Sequence, residues 1–319
     1  MRDIGGYFNL ELTDQGGFLH DDGILLNSCR SALELILISL KEKIRRLWIP
    51  FFTCDSVIHP IKRQKIKIEF YSIDERLEIS NIDFRDGDYI LYTNYFGVKD
   101  FYINQLVEKY GDRLIIDNAQ SFFSKQILGI CTVYSPRKFV GVPDGGIAYL
   151  NENVNIDFPQ DESFDRCRHL LRRYDQRASL GYADFKSNDA YLETAGIRKM
   201  SKLTFSILRS LNYDLIGKVR RSNFLYMQEK LNIRNNLDLD ITSDAVPLVY
   251  PFFTNKCNLH PMLIKSGVFV ATYWPNVLDL CNSSCLEYKL AKNLIPFPID
   301  QRYGRDEMNY MIQIVNSNE

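Results

Sequence analysis

The sequence lacks any long apolar run. Although 45% of its 319 residues are hydrophobic, no stretch approaches the roughly 20 apolar residues of a membrane-spanning helix. The most apolar helical run, ALELILISL, is short and contains Glu34. The first residues, MRDIGGYFNLELTDQGG, carry acidic and glycine residues where a secretory signal needs an apolar core. We therefore expect a cytoplasmic protein that does not use a membrane.

A strong charge of either sign is also missing. The chain has 39 basic and 40 acidic residues, for a formal net charge of -1. This balance argues against a nucleic-acid-binding protein. The densest basic runs, KRQKIK at 62–67 and RHLLRR at 168–173, are predicted to be solvated faces.

Paired cysteine motifs are absent as well. The seven cysteines are an odd number, include no CxxC pair and lie partly in apolar segments. This pattern is typical of free thiols in a reducing compartment. CNSSC at 281–285 has neither the spacing nor the second pair of a zinc site, so we expect no bound metal.

Strand-like and helix-like segments alternate along the first two-thirds of the chain. Helices are predicted at 31–43, 56–64 and 103–111, and strands at 45–50, 67–73, 88–97, 113–120, 129–134 and 146–150. This order predicts an α/β fold with a mostly parallel sheet and helices on both faces. The length suits about two domains: a large domain over 1–210 and a smaller α+β domain over 211–319, in which VFVATYW (268–274) is predicted to be a strand.

Three features are expected at the carboxyl ends of the parallel strands, where open sheets bind ligands. NSCRSALELILISL begins a helix at Ser28–Ser31, which suits either phosphate binding or ordinary capping. The strand LIID delivers Asp117, followed by Gln120; this carboxylate would cap the next helix or hold a cationic ligand nitrogen. In YSPRKFVGVPDGGIAYL, Lys138 is either a surface lysine or a reactive amine, because lysine is rarely buried without a partner.

Together these motifs resemble the DegT/StrS-type sugar aminotransferases, which are pyridoxal-phosphate (PLP) enzymes of the aspartate-aminotransferase fold, fold type I. The resemblance rests on DNAQ, the following RK and then PDGG. It continues over most of the chain through WIPFFTCDSVIHPI, TNYFG, MSKLTFSIL, RRSNF and LIPFPIDQRY.

The resemblance implies a role for each motif. Lys138 is the amine that reacts with the cofactor aldehyde, Asp117 keeps the pyridine nitrogen protonated, and Gln120 hydrogen-bonds near the phenolic oxygen. We also expect burial and Arg137 to lower the pKa of Lys138. The implied cofactor-binding set is Ser28, Cys29, Arg30, Phe52, Asp117, Gln120, Ser135 and Lys138.

The chain departs from the family pattern at several of these positions. Cys29 and Arg30 stand where the family commonly has a glycine-threonine pair, so Arg30 is expected to supply charge to the phosphate. Cys54 stands where a stacking aromatic is common, so Phe52 is the candidate to cover the ring. Ser135 is closer to the lysine than the family's serine usually is.

The implied function is an aminotransferase that moves an amino group from an amino acid, expected to be glutamate, to a nucleotide-linked keto-sugar in polysaccharide or amino-sugar biosynthesis. The alternatives are a PLP enzyme with a non-sugar acceptor and a PLP-fold regulatory protein without turnover. A sugar dehydratase is disfavoured because that branch replaces the lysine with histidine. A nucleotide-binding α/β protein is disfavoured because the chain has no GxGxxG or GxxxxGK[ST] motif.

The resemblance also implies a homodimer with shared active sites. Arg198 and Lys199 are candidates for contacting the partner's phosphate, or else lie exposed in the first turn of a helix. The stretch RRYDQRASLGYADFKSND (172–189) would line a wide substrate mouth or lie in solvent. Arg302 and Arg305 are predicted to be solvated, which leaves no dedicated arginine for a keto-acid carboxylate.

Overall fold

A computed structural model describes residues 4–152, 154, 157–254 and 258–317 of the chain. The strands are β1 (Ile24–Leu26), β2 (Arg46–Pro50), β3 (Lys67–Tyr71), β4 (Asp88–Thr93), β5 (Leu114–Asn118), β6 (Cys131–Tyr134), β7 (Gly146–Tyr149), β8 (Val249–Phe253) and β9 (Leu294–Pro298). The helices are α1 (Cys29–Ser39), α2 (Asp55–Arg63), α3 (Asp100–Tyr110), α4 (Arg168–Asp175), α5 (Ala178–Thr194), α6 (Lys202–Arg209), α7 (Tyr213–Leu231), α8 (Leu259–Lys265), α9 (Val277–Leu280), α10 (Leu286–Asn293) and α11 (Arg305–Asn316).

Seven strands form one sheet in the order β1-β7-β6-β5-β4-β2-β3. The neighbours from β3 to β6 pair in parallel, whereas β7 is antiparallel to both β6 and β1. The predicted mostly parallel sheet is therefore confirmed. The sequence reading missed β1, because three residues at an edge carry too short a pattern to recognise.

Helices cover both faces of this sheet. Along β4 and β5, Ile90, Tyr92 and Ile116 belong to one buried cluster, whereas Leu91 and Ile115 belong to another together with α1 and α2. The alternation follows from the two-residue period of a strand. Because both faces are buried, these strands read as continuous apolar runs.

Helix α1 illustrates how local chemistry sets an element's bounds. The Oγ of Ser28 accepts a hydrogen bond from the Ser31 N–H at 3.0 Å, which caps the first turn. The helix ends before the exposed residues 41–43, so it is shorter than predicted. Glu34 lies within the apolar run, and the helix accommodates its charge because Arg63 pairs with it. The Arg63 guanidinium donates to the Glu34 carboxylate from Nε at 3.0 Å and from a terminal nitrogen at 2.6 Å.

The C-terminal third contains a second, two-stranded antiparallel sheet of β8 and β9. Their side chains join the same buried cluster that covers one face of the large sheet. The domain boundary between residues 210 and 211 stays a prediction. In the part of the chain that the structure describes, no helix combines the length and apolarity needed to cross a bilayer.

The prediction of a strand at 268–274 is wrong. This segment is irregular, because Val268 N–H bonds Leu263 O after α8 at 2.8 Å instead of joining β8 or β9. Its last two rings pack toward the large sheet, with Tyr273 at 5.9 Å from Phe96. Residues 157–195, for which the sequence analysis predicts neither a helix nor a strand, contain α4 and α5.

Candidate active site

A cavity of about 560 Å³ opens at the carboxyl ends of β5 and β6, beside the first turns of α1 and α2. Every residue of the predicted cofactor-binding set except Phe52 lines it: Ser28, Cys29, Arg30, Asp117, Gln120, Ser135 and Lys138. Residues far apart in sequence thus meet where an open sheet is expected to bind its ligand.

The Asp-Gly-Gly turn is built tightly onto the start of α1. The Gly145 N–H donates to Asn27 O at 2.8 Å. A Cβ on Gly146 would lie 2.1 Å from the carbonyl carbon of Ser28 and 2.3 Å from the nitrogen of Cys29. Only glycine permits this approach, so the turn holds the first N–H groups of α1 next to the loop that carries Lys138.

Asp117, the last but one residue of β5, has an incompletely paired carboxylate. It accepts hydrogen bonds from Ala119 N–H at 2.9 Å and from Thr93 Oγ1 at 3.4 Å. Burial raises the pKa of Asp117 by more than Lys138 and these donors lower it. The site therefore favours a cation, such as a protonated ring nitrogen, that would compensate the buried charge.

Gln120 directs an unused donor toward the cavity. The side chain is 1% exposed, and its Oε1 accepts from the Phe96 N–H at 2.8 Å, which fixes the orientation of the amide. Its Nε2 has no partner among the described residues. Because buried donors are rarely left unpaired, an oxygen of a bound ligand would complete this group.

Lys138 follows β6 in a single helical turn, Pro136–Lys138. The residue is accessible through the cavity that it lines, while its amine is surrounded by protein atoms. Burial alone would lower the pKa of Lys138, but Cys54 and Asp117 raise it to above the usual 10.5. The expected lowering is therefore wrong for this structure: Arg137 turns aside and pairs with Asp189 of α5 at 2.8 Å.

Arg30 joins three elements at the edge of the cavity. Its terminal nitrogens donate to Leu192 O at 3.2 Å and to Ser56 Oγ at 2.9 Å. Its Nε is buried and unpaired within the described chain. One N–H of the guanidinium thus stays available beside the start of α1, where an anion would bind.

The expectation for Phe52 needs correction. Its side chain is 0% exposed, and its ring lies 4.9 Å from that of Trp274. Trp274 lines the cavity whereas Phe52 does not. The sequence analysis did not identify Trp274, because this residue lies more than 200 positions after Phe52 in the chain and belongs to a segment predicted to be a strand.

Helix α5 forms one wall of the cavity mouth. From the stretch 172–189 the lining side chains are Phe185, Lys186 and Asp189, followed along the helix by Glu193. The arginines of the stretch lie elsewhere; Arg172 pairs with Asp184 at 3.3 Å. At the rim, His59 Nδ1 lies 3.2 Å from Glu193 Oε1, a pair that the sequence analysis did not identify.

Four other arginine and lysine candidates lie outside this cavity. Arg198 donates from Nε to Ala195 O at 3.4 Å, and Lys199 lines a separate cavity of about 470 Å³. Arg302 pairs with Asp300 at 2.7 Å, and Arg305 lies 3.9 Å over the Tyr226 ring. Within the described chain, no group of three His, Cys, Asp or Glu side chains is arranged to hold a metal ion.

Solved structures share this fold. The sugar aminotransferase CalS13 from Micromonospora echinospora matches with a TM-score of 0.63 and 16% identity, over 92% of this chain and 86% of that chain. DesV from S. venezuelae, solved in complex with a ketimine intermediate, matches with a TM-score of 0.65 and 16% identity, over 92% and 84%. A DegT DnrJ EryC1 StrS aminotransferase from Brucella abortus matches with a TM-score of 0.62 and 15% identity, over 92% and 85%.

No protein-family model and no curated protein matches the sequence. At 15–16% identity the structural likeness shows the fold. The predicted fold class, the type I fold of PLP-dependent transferases, is confirmed.

Proposed function

We propose that this protein is a PLP-dependent aminotransferase of the DegT/StrS type. It would transfer an amino group from an amino acid, expected to be glutamate, to a nucleotide-linked keto-sugar. The observation that carries the proposal is the meeting of Lys138, Asp117 and the unpaired amide nitrogen of Gln120 in one cavity. An amine, a carboxylate and a buried donor complement the aldehyde, the pyridine nitrogen and the phenolic oxygen of PLP.

The residues present fit the cofactor from end to end. When bound, PLP supplies an aldehyde that reacts with amines and a ring that accepts electrons. The phosphate would lie at the start of α1, whose first N–H groups have no acceptor within the helix, next to Arg30 Nε. Ser28, Cys29 and Ser135 complete the wall of this region.

Asp117 and Lys138 would act as a coupled pair. In the structure the charge of Asp117 helps to raise the pKa of Lys138. A cationic ring nitrogen beside Asp117 would offset that charge and favour the neutral amine. Lys138 Nζ would then be able to take a proton from the donor's Cα and return it during transfer.

The side chains that line the cavity favour a sugar acceptor over a keto acid. The arginines that line the cavity are already engaged, Arg30 by Ser56 and Leu192, and Arg137 by Asp189. Neither is placed as a free fork for a keto-acid carboxylate. Lys186 on α5 offers a cationic contact for a sugar nucleotide, and the sugar aminotransferases of the same fold support a sugar acceptor.

We further propose that the protein works in the cytoplasm as a homodimer that completes each cofactor site with residues of the neighbouring copy. The free thiols among the described cysteines suit a reducing compartment. Arg198 and Lys199 remain candidates for the contact between copies, because both lie outside the cavity of their own chain. Light scattering of an active preparation should give about twice 37.2 kDa. The monomer mass would contradict the dimer.

The function is tested with a panel of half-reactions. The pyridoxamine form of the protein should be converted back rapidly by keto-sugar nucleotides and slowly by keto acids other than that of the donor. Rapid reaction with pyruvate or oxaloacetate, and none with keto-sugar nucleotides, would assign the protein to non-sugar aminotransferases. PLP binding without reaction of any donor or acceptor would favour a regulatory protein of the same fold.

A further inference from the structure

We infer that Trp274, from the C-terminal third of the chain, is the aromatic side chain that packs against the cofactor ring. This inference rests on the proposed PLP function. It concerns a residue that the large sheet does not supply and that lies outside every motif of the sequence resemblance.

The cavity offers few aromatic surfaces. Among the described lining residues, the benzene-type or indole rings belong to Phe185 and Trp274. Phe185 sits on α5, where the guanidinium of Arg137 lies 6.0 Å from its ring centre. Trp274 lies instead on the side of residues 52–54, where Cys54 contributes only a small thiol.

Two contacts hold the segment around Trp274 at that side. The Trp274 and Phe52 rings meet at 4.9 Å with an interplanar angle of 55°. Asn276 Nδ2 donates to Thr53 O at 2.9 Å, and Thr53 itself lines the cavity. The backbone forms a turn here, in which the Val277 N–H donates to Trp274 O at 3.1 Å.

The preceding residue links the same segment to the cofactor-binding groups. Tyr273 stacks on Phe96 at 5.9 Å and 27°, and Phe96 N–H fixes the amide of Gln120. Burial raises the pKa of Tyr273, and the charge of Lys138 lowers it. Residues 273 and 274 thus pack against Phe96, which orients Gln120, and against Phe52, which precedes the cavity residue Thr53.

A packed aromatic ring contributes through area burial and through offset stacking. Removing the indole with Trp274→Ala should raise the Kd for PLP by roughly 10-fold or more, whereas Trp274→Phe should raise it by roughly 3-fold. Trp274→Ala should also reduce the circular dichroism band of bound PLP, because the cofactor ring loses part of its asymmetric surroundings.

The chain offers a matched control, since it contains only two tryptophans. Trp48 lies in β2, where its Nε1 donates to Asp88 at 3.0 Å at the opposite edge of the sheet. PLP should strongly quench the fluorescence of Trp48→Phe, in which Trp274 is the emitter. The remaining emission of Trp274→Phe should fall much less.

Binding is measured by absorbance titration with PLP, alongside thermal unfolding of each variant. A wild-type Kd in Trp274→Ala, together with weak quenching in Trp48→Phe, would overturn the inference while leaving the proposed function intact. Failure of the wild-type protein to bind PLP would overturn the proposed function and the inference with it. If Trp274→Ala does not fold, the quenching in Trp48→Phe and the Kd of Trp274→Phe decide the question.

Discussion

Two buried aspartates on neighbouring strands show how the two edges of the sheet differ. Asp88 begins β4 at the amino edge, and Asp117 lies near the end of β5 at the carboxyl edge. The carboxylate of Asp88 accepts from two guanidinium nitrogens of Arg46, from Trp48 Nε1 and from Arg85 N–H. Asp117 accepts from one backbone N–H and one distant hydroxyl.

The pKa values of the two carboxyls move in opposite directions. Burial raises the pKa of Asp88, but Arg46, Trp48 and the Arg85 N–H together lower it to about 2. Burial dominates at Asp117 and raises its pKa. The Asp88 carboxylate is therefore well paired within the folded chain, whereas the described chain leaves the charge of Asp117 for a cationic ligand to offset.

The largest effect is expected at the carboxyl edge. Lys138→Ala should abolish transamination, because no other side chain would provide the reacting amine, and it should leave the fold unchanged. Activity assays and far-ultraviolet circular dichroism measure the two. Lys41→Ala, at an exposed position after α1, is the control and should keep full activity. Residual turnover in Lys138→Ala would place the amine elsewhere.

Asp117→Asn should lower kcat/KM by roughly 10²–10³ or more, because it removes the charge that stabilises the ring nitrogen. Its free energy of unfolding at pH 7 should not fall, because the lost carboxylate is unfavourably buried. Steady-state kinetics and urea unfolding measure both quantities. Near-normal turnover would show that another carboxylate serves the cofactor.

Gly146→Ala tests whether the turn at the carboxyl edge also contributes to the stability of the fold. The added Cβ would overlap backbone atoms of Ser28 and Cys29, so stability should fall by roughly 1–3 kcal/mol or more and PLP affinity should fall with it. Gly141→Ala is the matched control, since its nearest neighbour would be Leu170 Cδ2 at 3.7 Å. Equal stability of the two variants would contradict the tight packing of the turn on α1.

Asp88→Asn should reverse the pattern of Asp117→Asn. It should reduce the free energy of unfolding by roughly 1–3 kcal/mol, because buried donors lose their charged acceptor. The kcat of the folded protein should stay close to that of wild type. A large loss of kcat with unchanged stability would remove the distinction between the edges.

The smallest effect concerns the pH dependence of stability. A depressed pKa such as that of Asp88 stabilises the fold above the ordinary 3.8, and this contribution is lost as the pH falls toward about 2. The raised pKa of Asp117 has the opposite sign: its contribution is present below 3.8 and is lost as the pH rises through the folded-state value. Urea unfolding from pH 2 to 7 should show a flatter acid limb in Asp88→Asn, and a gain relative to wild type toward neutral pH in Asp117→Asn.

Local sequence signals predicted most of the sheet and part of the site. An apolar run predicts the strand that contains Asp117. A capping serine followed by apolar residues at helical spacing predicts the helix that starts after Ser28. The parallel order follows from the alternation of strands and helices. These features depend on neighbours within a few residues, so the sequence alone carries them.

Long-range packing decided the remainder. Arg137 pairs with Asp189, 52 residues further along the chain. The sequence neighbours of Lys138 alone therefore did not predict the direction of its pKa shift. Val268 and Val270 have the apolar spacing of a strand, yet the segment pairs with no strand of the described chain, and its last residue, Trp274, lines the cavity. Phe52 lies next to the motif but is buried behind that ring.

The central claim is that Lys138, at the carboxyl edge, holds the cofactor. The most direct measurement is borohydride reduction of the protein after incubation with PLP, followed by mass analysis of its peptides. The account predicts one added cofactor per chain, on the peptide that contains Lys138. Attachment at another lysine, or no attachment in a protein that binds PLP, would contradict it.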